Sequence, residues 1–208
     1  MAQKNIGNMI VKHISNPKNW TKKKMAALGV AVASALVANQ FAGKSNASGD
    51  KAAAKKGQTY AAKVIKVADG DTATVTDTHG AKHTLRFAYI DAPEKAQAHG
   101  IASKNALEKL IHGKQVEVYV TDVDRYSREV AVVKLQGLDV NYEQVKNGNA
   151  WHYQTYAKKS QPSGDYSRYA AALAAAEKNR VGLWSGKKPQ APWDYRAQLR
   201  AQGGNTEE

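Results

Sequence analysis

Between Thr59 and Asp91 the chain alternates β-branched or aromatic residues with polar ones in three runs, TYAAKVIKVADGDTATVTDTHGAKHTLRFAYID. Asp69-Gly70-Asp71 and Asp77-Thr78-His79-Gly80 punctuate the runs with residue types that favour reversals, so the pattern predicts a three-stranded meander. A helical period follows in ASKNALEKLIHGK, where Leu107, Leu110 and Ile111 stand at i, i+3 and i+4 and Gly113 sits where a helix ends on glycine. QVEVYVT then puts Val116, Val118 and Val120 on one face as a fourth strand, and EVAVVKLQ supplies a fifth. A short helix is expected over residues 139–146, although Glu143 and Gln144 interrupt its apolar face. A longer one is expected over residues 166–180, with Tyr169, Leu173 and Ala176 on one side and Gly182 as its stop.

Five short strands with a helix between the third and fourth match an OB-fold, a small Greek-key barrel. The expected fold is therefore α+β, a five-stranded barrel with three helices, over residues 59–186, followed by a C-terminal tail at 187–208.

The N-terminal pattern is different. Residues 1–24 end in three lysines, residues 25–38 (MAALGVAVASALVA) carry no charge, and NQFAGKSNASG turns small and polar. A basic segment, an apolar run and a small-residue exit form a secretory-signal pattern. The fourteen-residue run would make a helix of about 21 Å, short of the roughly 30 Å hydrocarbon core. Residues 1–47 are read as a signal peptide cleaved near Ser45-Asn46-Ala47, with an uncleaved membrane anchor as the alternative and an alanine-rich buried helix as the plainest reading. Residues 48–58, SGDKAAAKKGQ, read as a flexible linker. Export to a secreted or periplasmic location is the expectation.

Composition adjusts this picture at three points. A chain of 208 residues, 42% hydrophobic, holds one domain with a real core. Of the net +13, seven lysines fall in residues 1–47, which have neither arginine nor acid, leaving 24 basic against 18 acidic residues elsewhere. That residual +6 suits a polyanionic partner, but many inert proteins are as basic. The absence of cysteine excludes disulfides, thiolate metal sites and thiol nucleophiles. The six histidines lack ligand spacing, which argues against zinc, and no phosphate-binding loop, zinc-protease or serine-hydrolase motif is present.

The candidate chemistry lies in three polar stretches. Asp69-Gly70-Asp71 is a plain turn or half of a cation site; a hard cation needs several oxygens, and Asp91 would supply more if strand three returns to that turn. Arg86 precedes Asp91 by five residues, so in a regular strand the two face opposite ways and share a site only if the chain bends, for which Pro93 gives an occasion. In DRYSRE, Arg125 and Arg128 flank Tyr126: a solvated turn, or guanidiniums for phosphate beside an aromatic for a base.

Taken in order, DGDT, LRFAYIDAPE, DRYSRE and NRVGLWS resemble the staphylococcal nuclease family, over about Tyr60 to Ser185, and APWDYR (191–196) resembles tails on its bacterial members. The resemblance implies an OB barrel with three helices and an exported, monomeric enzyme that cleaves DNA and RNA with Ca²⁺ to leave 3′-phosphate ends. It assigns Asp71, Asp91 and the Ala92 carbonyl to calcium, and Arg86, Glu94 and Arg128 to catalysis. Arg125 and Tyr126 match positions that contact the terminal phosphate and nucleotide. Glu143-Gln144 departs from the apolar residues usual on the second helix, and aromatics of residues 150–156 are expected to border the nucleotide site. A non-catalytic nucleic-acid-binding OB module is the alternative, disfavoured because Asp71, Asp91 and Glu94 would repel a bound phosphate chain.

Overall fold

The computed structural model describes residues 55–203; the signal or anchor expected at residues 1–47 lies outside them. Strands β1 (Thr59–Val67), β2 (Thr72–Asp77) and β3 (Lys82–Phe87) form the predicted antiparallel meander. A two-residue strand, β4 (Ile90–Asp91), and helix α1 (Gly100–Ile111) follow. Leu107 and Ile111 of α1 are fully buried, and Gly113, at a φ of 75°, takes the left-handed position past the helix end that its sequence position predicts. Strands β5 (Gln115–Val123) and β6 (Glu129–Leu135) are the expected fourth and fifth.

β5 pairs with both β1 and β6, and β6 runs parallel to β3 with Arg86 opposite Val130. That last pairing closes five strands into a barrel, the OB architecture of an α+β domain. Alternate residues of every strand point inward: Val64, Val75, Leu85, Val118, Val120, Ala131 and Val133 are at most 1% exposed and fill the interior.

After a short strand β7 (Leu138–Asp139), Asp139 caps α2 (Val140–Lys146) by accepting the Tyr142 N–H at 3.0 Å. β8 (Trp151–His152) pairs with β4, and α3 (Gln154–Ser160) leads into α4 (Ser163–Lys178), which buries Tyr169, Ala172 and Ala176. A 3₁₀ turn at Gly182–Ser185 precedes α5 (Pro192–Ala201).

The described residues thus hold five α-helices where three were expected. α3 buries only Ala157, too little to leave a periodic signal. α5 falls inside the expected tail; Pro192 at its first turn is a start signal, but its anchoring residues, Ala191 and Trp193, pack on a separate small cluster with Trp151 and Leu183.

Candidate active site

The site forms where β3 ends. Phe87 donates its N–H to the Asp71 carbonyl at 2.8 Å, which ties the strand end to the Asp69–Asp71 turn as the meander reading required. Ala88 then donates to the Ala131 carbonyl at 2.7 Å, Tyr89 adopts a φ of 68°, and β4 leaves in a new direction to pair with β8. Strand alternation alone would separate Arg86 from Asp91; the reversal at Tyr89, ahead of Pro93, brings them together, and Arg86 Nη2 donates to Asp91 Oδ1 at 2.6 Å.

Buried amides hold this reversal and the facing turn. Asn141, fully buried on α2, donates Nδ2 to the carbonyls of Ala88 and Ala131, each at 3.0 Å, and accepts the Val133 N–H at 3.1 Å. Gln144, 2% exposed, donates to the Gly70 carbonyl at 2.7 Å. The polar break in the second helix is therefore a brace for the Asp69–Asp71 turn. Gly70 itself admits no side chain: a Cβ there would lie 1.8 Å from Ser103 Oγ and 2.7 Å from the Ala92 Cβ.

Around that turn the carboxylates and guanidiniums interlock. Asp71 accepts the Ala92 N–H at 2.5 Å and the Thr72 hydroxyl at 3.1 Å, and it pairs with Arg86 Nη1. Arg196, from α5, donates Nη2 to Asp91 Oδ2 at 2.8 Å and Nη1 to Glu94 Oε1 at 2.8 Å. Burial pushes the Asp71 carboxyl up to about 6 against the pull of Arg86, and it raises Asp91 against Arg86 and Arg196. For both arginines burial opposes the charge, but the carboxylates outweigh it and hold the guanidiniums well above their ordinary pKa. Asp71 and Asp91 thus share Arg86, and Arg196 links Asp91 to Glu94.

Arg128 does not touch this cluster. Its Nε donates to Asp124 Oδ2 at 2.7 Å, within a tight β5–β6 hairpin in which Asp124 also accepts the N–H groups of Tyr126 and Arg128, each at 2.9 Å. The Arg125 and Arg128 guanidiniums lie 4.7 and 5.3 Å from the centre of the Tyr126 ring, which is half exposed. The parallel seam nevertheless keeps this hairpin beside β3, since Leu85 is opposite Glu129.

Of the aromatics at residues 150–156, Tyr153 borders the cluster. Burial first, then the charge of Asp91, raise its hydroxyl pKa, and its ring stacks on Trp193 at 4.9 Å and an interplanar angle of 5°. The residue that sequence reasoning missed is Arg196; Pro192 as a helix start, with Trp193 and Arg196 one turn apart, was the available signal.

Comparison with known proteins gives the family. A family model described as staphylococcal nuclease homologue matches residues 84–186. An uncharacterized endonuclease of Haemophilus influenzae is 38% identical over 136 residues, covering 65% of this chain and 72% of the relative. The micrococcal nuclease of Shigella flexneri is 33% identical over 146 residues, covering 66% of this chain and 80% of that protein. The chain belongs to the staphylococcal nuclease family. A probable staphylococcal-like nuclease of Oryza sativa subsp. japonica is 39% identical over 119 residues, which are 57% of this chain but span only 30% of that relative's length. The staphylococcal nuclease match takes in Arg86, Asp91, Glu94 and Arg128; Asp71 and Arg196 lie outside it and join the site through the fold.

The donors at the site suit a hard dication. The Asp71 and Asp91 side chains and the Ala92 carbonyl are oxygen donors, with no nitrogen or sulfur ligand among them; the two carboxylates accept from Arg86, Arg196 and the Ala92 N–H, and a cation would compete with these donors. Among the described residues no group of three or more His, Asp or Glu side chains converges on one point, so a cation here would keep part of its own water or take substrate oxygens.

Proposed function

We propose that this protein is an exported phosphodiesterase that hydrolyses DNA and RNA with little sequence preference, using Ca²⁺ and leaving 3′-phosphate ends. The observation that carries this reading is the packing of Asp71, Asp91 and Glu94 against Arg86 and Arg196 at one end of an OB barrel, beside the arginine-rich hairpin. A module that only binds a phosphate chain gains nothing from three carboxylates on its path. The names of the relatives support the same reaction class, and the signal-like pattern of residues 1–47 supports export.

Asp71, Asp91 and the Ala92 carbonyl would hold the Ca²⁺, which when bound supplies positive charge to the scissile phosphate. Arg86, fixed between two buried carboxylates, presents a preorganised guanidinium to the charge that builds on the phosphorus oxygens. Glu94 accepts one proton from a water whose oxygen bonds to phosphorus as the bond to the 5′-oxygen breaks. The leaving 5′-oxygen takes a proton from solvent, giving a 3′-phosphate and a 5′-hydroxyl. Arg128 reaches the phosphate from the hairpin by exchanging its pairing with Asp124, while Arg125 and Tyr126 receive the terminal phosphate and nucleotide. Nothing in this set reads a base edge, in keeping with low sequence preference.

The test is hydrolysis of single-stranded DNA and RNA by the mature protein with Ca²⁺, with chelator, and as Arg86→Ala. Cleavage that stops in chelator and falls about 10²–10³-fold in the variant is expected. Full activity in chelator refutes the calcium assignment, and binding without cleavage in any cation favours the non-catalytic module.

A further inference from the structure

Arg196 lies outside the matched family segment, yet it makes a contact in the site that no other described residue makes: among the described residues, Glu94 has its ion pair with Arg196 alone. Asp91 is already served by Arg86 at 2.6 Å. Glu94 is different, because its side chain is 30% exposed, follows Pro93 on an irregular segment, and has three rotatable bonds to order. A guanidinium fork bridging Asp91 and Glu94 fixes that carboxylate from a rigid base, since Asp91 is itself fully buried.

α5 is built to hold the fork in place. Trp193, one turn before Arg196, stacks on Tyr153, and Ala191 and Pro192 are buried at the helix start. Gln97, on the same segment as Glu94, donates Nε2 to the Gln190 carbonyl at 2.5 Å and accepts the Glu94 N–H at 3.2 Å. The helix is thus clamped to the loop that carries Glu94 and to the aromatic beside the cluster. The Arg196 side chain is 14% exposed, less than that of Glu94.

We propose that Arg196 is a positioning residue: it acts through Glu94, holding the carboxylate in the orientation from which it accepts the water proton. This rests on the nuclease reading. The α5 segment is then part of the active site and no mere tail.

A double-mutant cycle with Arg196→Ala and Glu94→Gln, read as kcat and KM on single-stranded DNA, tests it. Arg196→Ala should lower kcat by about 10–100-fold with KM within about threefold, and should lower it no further in the Glu94→Gln background. Arg196→Lys, with the charge but not the fork, should recover only part of the loss. Independent of turnover, Ca²⁺ titration followed by tryptophan fluorescence should show tighter binding to Arg196→Ala, because one positive charge has left Asp91. Wild-type or raised kcat in Arg196→Ala, additive losses in the double variant, full recovery by lysine, or weaker Ca²⁺ binding would each overturn the inference while the nuclease reading stands. A wild type inert on DNA and RNA in every cation overturns both.

Discussion

Replacing Asn141 by leucine tests whether the buried amide on α2 sets the reversal that brings Arg86 to Asp91. Leucine keeps the volume, so the cost is dominated by hydrogen bonding and little by cavity. The Ala88 carbonyl and the Val133 N–H both lose the partner they have in Asn141, whereas the Ala131 carbonyl keeps the Ala88 N–H at 2.7 Å. Each buried group left unpaired costs about 1–3 kcal/mol, giving about 4 kcal/mol for the two. For a domain of this size that lowers the melting temperature by of order 10 °C. Urea unfolding monitored by tryptophan fluorescence measures the free energy, and cleavage assayed well below the lowered midpoint measures the site. Activity should fall as well, because Ala88 is the residue from which the chain turns towards Asp91. A loss under about 1 kcal/mol with unchanged cleavage would refute the idea that this amide holds the turn.

Three further outcomes follow from contacts near the site. Gly100→Ala places a Cβ 1.8 Å from the Glu94 carbonyl, so it should displace the loop that carries Glu94 and reduce kcat more than stability; equal effects on both would show that the loop does not depend on this approach. Gln144→Leu leaves the Gly70 carbonyl without its brace and should destabilise by about 1–3 kcal/mol in chemical denaturation, and a neutral result would mean that the Asp69–Asp71 turn is held elsewhere. Burial lowers the pKa of His152 below its ordinary 6.5, against the hydrogen bond to Gln161. The unfolded chain therefore binds that proton first, and this contribution to stability is complete above about pH 6.5 and is lost as the pH falls towards the folded value. His152→Phe should remove that slope from the pH dependence of the melting temperature, and an unchanged slope would assign it to other groups.

The barrel was legible because its inward residues alternate over most of each strand, with register shifts only after Val64 and Val120 in β1 and β5: Val116, Val118 and Val120 on β5 and Val64 and Val75 on β1 and β2 are all at most 3% exposed. Asp71, Asp91 and Glu94 could be named from their motif, but strand alternation argued against Arg86 joining them. The reversal at Tyr89 is written in no local signal, since a tyrosine at positive φ is unfavourable by itself and is sustained by Asn141 from another element. Gln144 looked like a flaw in an apolar face for the same reason, its partners Gly70 and Ser103 being remote in sequence. α5 escaped notice because most of its surface faces solvent, and a period needs a buried face to be seen.

The parallel seam between β3 and β6 is also a division of the chain. Arg86, Asp91 and Glu94 arrive on the first side, and Arg128, Asn141 and Arg196 on the second. Cut between α1 and β5, neither piece would own a working centre, since each holds groups that are ordered only by the other. Catalytic turnover in this molecule is therefore a count of closed barrels: a separated half or a half-folded chain is silent, and mixing two silent halves that find one another should restore the reaction.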